Sequence, residues 1–351
     1  MMHYILKRII LMIPTLFFIL LINFVIVQIA PGGPVEQTIQ QLQKMQGIGA
    51  TAQGTPVFQY QGARGLSPEM IEKIKIQYGF DRPAPERFWL MLKGYLSLDF
   101  GSSFFKEKAV TQLLAERLPV TLSLGCWSAL LIYLIAIPLG IRKAQKNGLL
   151  FDQSTSLLLA FSYAVPSFVF AILLMVFFAG GSYWQWFPLQ GLTSENFVSL
   201  SIWGKFKDYF WHLCLPVLSI VLGSFAARTY LIKYSFVDEL KKPYVLTARS
   251  KGLNEQQVLY GHVFRNAILI VIAAVPEAFV GIFLVGNVFV EIIFNLDGIG
   301  LLGFEAITQR DYPVIFGTLF LFTLFGLILR LIGDVLYQMI DPRIDFETRG
   351  R

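Results

Sequence analysis

Charge is scarce in this chain. Asp, Glu, Lys and Arg make up 15% of 351 residues, while apolar residues make up 55% and mean hydropathy is +0.60. Soluble domains carry about 25% charged residues, so the balance excludes two ordinary soluble domains and names the bilayer as solvent. Cysteine and histidine are scarcer still, with two and three copies. Cys126 and Cys214 each lie in an apolar run without CxxC or Cys/His spacing, which excludes a disulfide framework and a zinc site and assigns both to packing. The formal charge of +6 does not indicate nucleic acid, because the basic residues sit at the ends of apolar runs and not in an aromatic-interleaved stripe.

Catalytic signatures are missing as well. There is no GxxxxGK[ST] phosphate loop, no HExxH, no GxSxG and no carboxylate pair suited to proton work inside a bilayer. The three histidines, His3, His212 and His262, fall near the ends of apolar runs. A chain without these groups is expected to bind no nucleotide or metal itself and to be no enzyme.

What is present is six apolar runs of spanning length. About 20 residues at ~1.5 Å each cross a ~30 Å hydrocarbon core. The runs are Ile9–Ile29, Val120–Ile141, Thr155–Phe178, Leu213–Tyr234, Ala267–Val290 and Val314–Ile340. The first is longer than the ~7–15 residues of a signal-peptide core and lacks a small-residue cleavage site, so it reads as a retained anchor. Pro14, Pro138, Pro166, Pro216 and Pro276 fall within the runs, where membrane helices tolerate them. The expected fold is therefore an all-α polytopic membrane protein, divided into an N-terminal span (1–30), an extracytoplasmic segment (31–117), a five-helix core (118–340) and a tail (341–351).

Orientation follows from Lys and Arg in short loops. Lys7 and Arg8 precede the first run; Arg142, Lys143 and Lys146 follow the second; Lys241, Lys242, Arg249, Lys251 and Arg265 lie between the fourth and fifth. These segments read as cytoplasmic, with both termini. Glu291, Asp297, Glu305 and Asp311 mark the loop after the fifth run as external, and Trp184, Trp186, Trp203 and Trp211 suit an outer interfacial belt. In the external segment, residues 47–65 read as loop, Ser67-Pro68-Glu69 opens a helix that Gly79 stops, and a second amphipathic helix over Pro85–Leu98 is expected on the membrane surface or against the bundle. A solvated helical hairpin is the alternative.

Ionisable residues within the runs are few. Arg228 and Lys233 are expected to snorkel at the end of the fourth run, and Arg330 with Asp334 to form an i,i+4 pair. Glu277, Asn287 and Glu291 are candidate pathway residues; for Glu277, water at a helix end is the competing reading.

The segment between the fourth and fifth runs, residues 236–266, carries most information. Gly252 is placed to end one helix in a left-handed turn, and Asn254 with Gln257 resembles a capping box opening a short amphipathic helix over Leu253–Phe264. Physics alone leaves two uses open, a solvated connector or a lever that a partner grips to move both spans.

Thr247-Ala248-Arg249-Ser250-Lys251-Gly252, followed by His262-Val263-Phe264-Arg265-Asn266-Ala267, resembles the EAA-loop signature of ABC importer permeases in the oligopeptide, dipeptide and nickel branch. Further marks of that branch run from Ala30-Pro31-Gly32-Gly33-Pro34 through Asp99-Phe100-Gly101 and Val290-Glu291 with Phe294, Gly298 and Gly300, to Asp341-Pro342-Arg343. The long insertion after the first run and the ending Asp341–Glu347 are most similar to permeases of microcin C and oligopeptide importers.

The resemblance implies a type I ABC importer permease fold and uptake of oligopeptides or peptide-like compounds of the microcin C type. It implies a second permease subunit, a separate ABC ATPase that uses ATP and Mg, and a periplasmic substrate-binding protein, with the chain in the bacterial inner membrane. Thr247, Ala248, Arg249, Lys251, Gly252, Leu253, Glu255, Val258, Leu259, His262 and Arg265 become the expected ATPase-coupling residues. Leu246 stands where many such permeases have Glu, which shifts the expected contact from one salt bridge to the shape of the lever. An ion-coupled transporter would be expected to show inverted repeats and more buried charge.

Overall fold

The structure is a computed structural model and describes residues 2–29, 81–180, 183–284 and 288–340. Among the described residues the regular elements are helical. In order they are α1 (Met2–Ile29), α2 (Ala84–Leu96), α3 (Val110–Gln145), α4 (Leu150–Ala164), α5 (Ser167–Phe178), a 3-10 turn (Phe197–Ser199), α6 (Ile202–Leu240), α7 (Pro243–Ser250), α8 (Glu255–Val258), a π turn (Leu259–Val263), α9 (Phe264–Leu284), α10 (Val288–Ile293), α11 (Ile299–Gln309) and α12 (Tyr312–Ile340).

Five of these stretches are long and apolar enough to cross a membrane, and six if α4 and α5 together count as one. That pair corrects the expected third span. It is not one straight helix, because Val165 is extended and Pro166 lacks the donor that would continue the ladder, so α5 leaves α4 at 92°. The expected helix at Ser67 and the loop at 47–65 lie outside the described residues.

The described residues group into two units. The first takes in the chain up to Ile10, Arg117–Leu301 and the stretch from Leu324. It has two apolar cores. One joins Leu124 and Ile132 of α3, Ala171 of α5, Leu215 and Ile220 of α6 and Phe294. The other joins Ala136 and Ile141 of α3, Ile232 and Phe236 of α6, Val245 and Ala248 of α7, Val258, Leu259 and Val263, and Val271 of α9. Within the bilayer such cores are held by close packing and not by removal from water, and the second core seats the whole 243–263 segment on the ends of α3 and α6.

The second unit is Leu11–Glu116 with Leu302–Thr323. Phe24 of α1 packs on Phe88 of α2 and on Phe316 of α12, with ring centroids 5.1 and 6.0 Å apart. Tyr95 packs on Phe100 and Phe320. Asp311 accepts from Ser103 Oγ and from the Phe104 amide. Burial raises its carboxyl pKa, against those hydrogen bonds.

Other expectations about single residues change. Lys233 does not snorkel: it is buried, with Nζ 2.8 Å from Asp152. Asp334 has an ion partner in Arg8, 3.1 Å away, in place of the expected Arg330. Cys126 and Cys214 are exposed at the protein surface, not packed within it.

Candidate functional site

α7 begins at Pro243, whose fixed φ suits the first helical turn, and ends at Gly252 with φ +83°. Gly252 N bonds back to Arg249 O, and Leu253 N to Ala248 O, closing the last turn of α7. Asn254 then caps α8: its side chain accepts from Gln257 N at 2.8 Å, and Gln257 Oε1 accepts from Asn254 N at 3.0 Å. Such reciprocal caps contribute about 1 kcal/mol. Arg249 and Glu255 brace the break from outside with two contacts of 2.9 Å.

The helix after the break differs from the expected separate lever. α8 runs through the π turn straight into α9, and the Phe264 amide bonds to Leu259 O. The expected short helix and the fifth span are therefore one rod, and Glu255–Pro276 forms a single candidate span.

The expected coupling residues divide by face. Thr247, Arg249, Lys251, Gly252, Glu255, His262 and Arg265 are exposed, and Leu253 is half-buried. Ala248, Val258 and Leu259 point inward and belong to the core shared with α3 and α6, so they seat the loop. Tyr260 and Leu246 are exposed on the same segment, 62% and 61%. Large apolar side chains exposed next to charges are what a protein partner would cover. On the inner side, Tyr244 donates to Glu239 Oε1 at 2.8 Å, and Asn266 donates to Tyr244. Burial first, then Glu239, raises the Tyr244 pKa. Ser235 of α6 donates to Ala267 O at 2.7 Å.

A second cluster lies behind the same core. Asp152, in the first turn of α4, faces Lys143 of α3 at 2.9 Å and Lys233 of α6 at 2.8 Å. Lys143 is fully buried and donates further to Asp152 O, Thr155 and Ser156, each at 2.8 Å. This node ties α4 to the two helices on which the 243–263 segment sits. Lys143 reads in the sequence as a loop charge that sets topology. The signal for the node was an acid at the start of an apolar run, nine positions after a lysine.

Of the candidate pathway residues, Asn287 and the side chain of Glu277 lie outside the described residues. Glu291 is fully buried and lines no open space. Its Oε1 accepts from Thr121 Oγ1 at 3.1 Å and its Oε2 from Leu301 N at 2.7 Å, while Thr121 Oγ1 accepts from Ile299 N at 2.9 Å. A Cβ on Gly298 would overlap this carboxylate. Glu291 lies outside the candidate spans. Burial raises its pKa to about 7, against the hydrogen bonds from Leu301, Thr121 and Gly300 and the charge of Arg117.

Residues 136–346 match the family described as binding-protein-dependent transport system inner membrane component. The chain is 51% identical to the peptidoglycan transport system permease protein YejB of Agrobacterium fabrum, over 99% of both chains. It is likewise 51% identical to the inner membrane ABC transporter permease protein YejB of Escherichia coli O157:H7, again over 99% of both. The dipeptide transport system permease protein DppB of Lactococcus lactis is 28% identical over 98% of this chain and 99% of its own.

Proposed function

The chain belongs to the family of inner-membrane components of binding-protein-dependent transport systems, ABC importer permeases whose ATPase is a separate subunit, and from that premise we propose that it imports peptides by a stroke delivered at the Gly252 loop. The cargo is oligopeptides or peptide-like compounds of the microcin C type. Names carried by relatives, peptidoglycan for one and dipeptide for another, support a peptide-like cargo. Working partners are a second, different permease, an ATPase subunit that holds ATP and Mg, and a periplasmic binding protein. Both termini are cytoplasmic, in keeping with the Lys and Arg distribution.

The observation that carries this reading is the capped break at Gly252, with a charged and apolar outer face on a buried seat. An ATPase pair closing on ATP grips Thr247–His262. The grip cannot be absorbed locally, because Ala248, Val258 and Leu259 interlock with α3 and α6 and α8 continues into α9. Displacement therefore passes to three spans at once, and the permease needs only two packings whose balance the ATPase biases. The binding protein releases peptide into the outward-open state, and hydrolysis resets the pathway.

Cysteines at Glu255, Gln256 and Tyr260, each exposed, are expected to crosslink to the ATPase subunit in assembled transporter. No crosslink at any of these three positions in assembled transporter would place the coupling contact elsewhere.

A further inference from the structure

The second unit holds a helix whose depth can be read from its neighbours. Phe88 of α2 packs on Phe17 and Phe24 of α1, at 5.8 and 5.1 Å between ring centroids. Along α1, Phe24 and Phe17 lie roughly 8 and 18 Å from its end at Ile29, at about 1.5 Å per residue. Tyr95, near the other end of α2, packs on Phe320 at 5.2 Å, and Phe320 lies roughly 12 Å along α12 from Tyr312 by the same rise. Both α1 and α12 are candidate spans. One leaflet of hydrocarbon is roughly 15 Å thick, so the stretch from Phe88 to Tyr95 sits at hydrocarbon depth.

The chain enters and leaves at the interface. Arg87 donates to Gln28, one residue before the end of α1, at 2.7 Å. After α2, Ser103 donates to Asp311, the residue that precedes α12. At the centre of α2 the sequence is Phe88-Trp89-Leu90-Met91-Leu92, a short apolar run between Arg87 and Lys93. Opposite its packed face, Trp89 (67% exposed), Leu90 and Leu96 (89%) form one stripe at helical spacing, with Lys93 among them and the exposed Glu86, paired with Arg82, at its start. On α1, Ile22, Val25 and Ile26 are likewise exposed.

We propose that α2 is a re-entrant helix sunk in the leaflet at the Ile29 and Tyr312 ends of its neighbours, and that its Trp89, Leu90 and Leu96 stripe binds phospholipid acyl chains while Lys93 reaches up to the phosphates. The aliphatic stem of Lys93 allows this, because its charge can rise to the headgroups while its methylenes stay in hydrocarbon. A Trp beside it suits the boundary layer.

The test is site-directed spin labelling of the full permease, assembled with its partner subunits in phosphatidylethanolamine and phosphatidylglycerol nanodiscs, with Cys126 and Cys214 replaced by Ala. Trp89→Cys, Leu90→Cys and Leu96→Cys each carry one nitroxide, and Ile22→Cys on α1 and Glu195→Cys serve as lipid and water references. At the three α2 positions the ratio of oxygen to nickel-chelate collision is expected to match Ile22→Cys and to exceed Glu195→Cys several-fold. A nickel-dominated ratio would put the stripe in water and overturn the proposal. Exclusion of both reagents would also overturn it, because protein, either residues 31–80 or a second permease, would then cover the stripe. Three independent positions keep the test decisive if Trp89→Cys fails to assemble.

Discussion

The loop at Gly252 and the turn at Gly298 both interrupt helix for a few residues in the same unit, and each depends on glycine for a different reason. At Gly252 the backbone is left-handed and an added Cβ would meet nothing within 4 Å. At Gly298 the backbone makes no such demand, but an added Cβ would collide with the Glu291 carboxylate. One glycine is required by conformation, with its outer side open; the other is required by volume, with a carboxylate filling its side. An open turn can be covered by a partner, whereas a filled turn can only hold its own helices together. The first therefore suits transmission between subunits, and the second fixes α3 to the start of α11.

This contrast can be broken at several points, starting with the largest effect. Gly252→Val places a β-branched residue where φ is positive, which costs on the order of 1–3 kcal/mol and displaces the break. Peptide uptake in cells is expected to be lost while the amount of chain in the membrane is unchanged; normal uptake would remove the loop from the stroke. Gly298→Ala should act oppositely, lowering the thermal midpoint of the purified protein by the equivalent of about 1–3 kcal/mol through overpacking. Gly252→Ala is expected to cost only about 1 kcal/mol in the same assay.

Acidity separates the two turns further. The Glu291 pKa is raised from 4.5 to about 7 in the folded chain, so the folded state holds the proton more tightly. Its contribution to stability is fully present below 4.5 and is lost as pH rises through 7. The thermal midpoint should fall between those limits, and Glu291→Gln should flatten that part of the profile. A wild-type profile that rises over this interval would contradict the buried environment described for the carboxylate. The smallest effect is expected from Arg249→Ala. Its pair with Glu255 is exposed and contributes no more than about 1 kcal/mol, so the midpoint should barely move and uptake should fall less than with Gly252→Val.

Sequence separation decides how much of this was legible beforehand. The Gly252 break and the Asn254–Gln257 box are made by residues three or four apart, so local chemistry specifies them. Apolar run length located the spans, and helical spacing located α2. The bend at Pro166 was not legible, because a proline in a membrane run is tolerated as often as it breaks the helix. Thr121 and Glu291 are 170 residues apart, and Lys233 and Asp152 are 81 apart; only a folded backbone brings them together. From the sequence Glu291 therefore reads as an external loop acid or a pathway residue, and Lys233 as a snorkelling base. Which way Ala248, Val258 and Leu259 point depends on α3 and α6 being beneath them.

The π turn at Leu259–Val263 sets an angular phase between the two ends of the rod. It accommodates one residue more than an α turn, and one residue corresponds to about 100° of rotation. The face presented by Glu255 and Gln256 and the face that α9 turns toward its neighbours are thus keyed to each other with a fixed offset, like two cams on one shaft. Deleting Gly261 would remove that extra residue and leave the two faces in phase, whereas inserting one alanine after Ala267, in regular helix, would re-time the cams by about 100°, so a stroke received in the correct direction would be delivered in the wrong one.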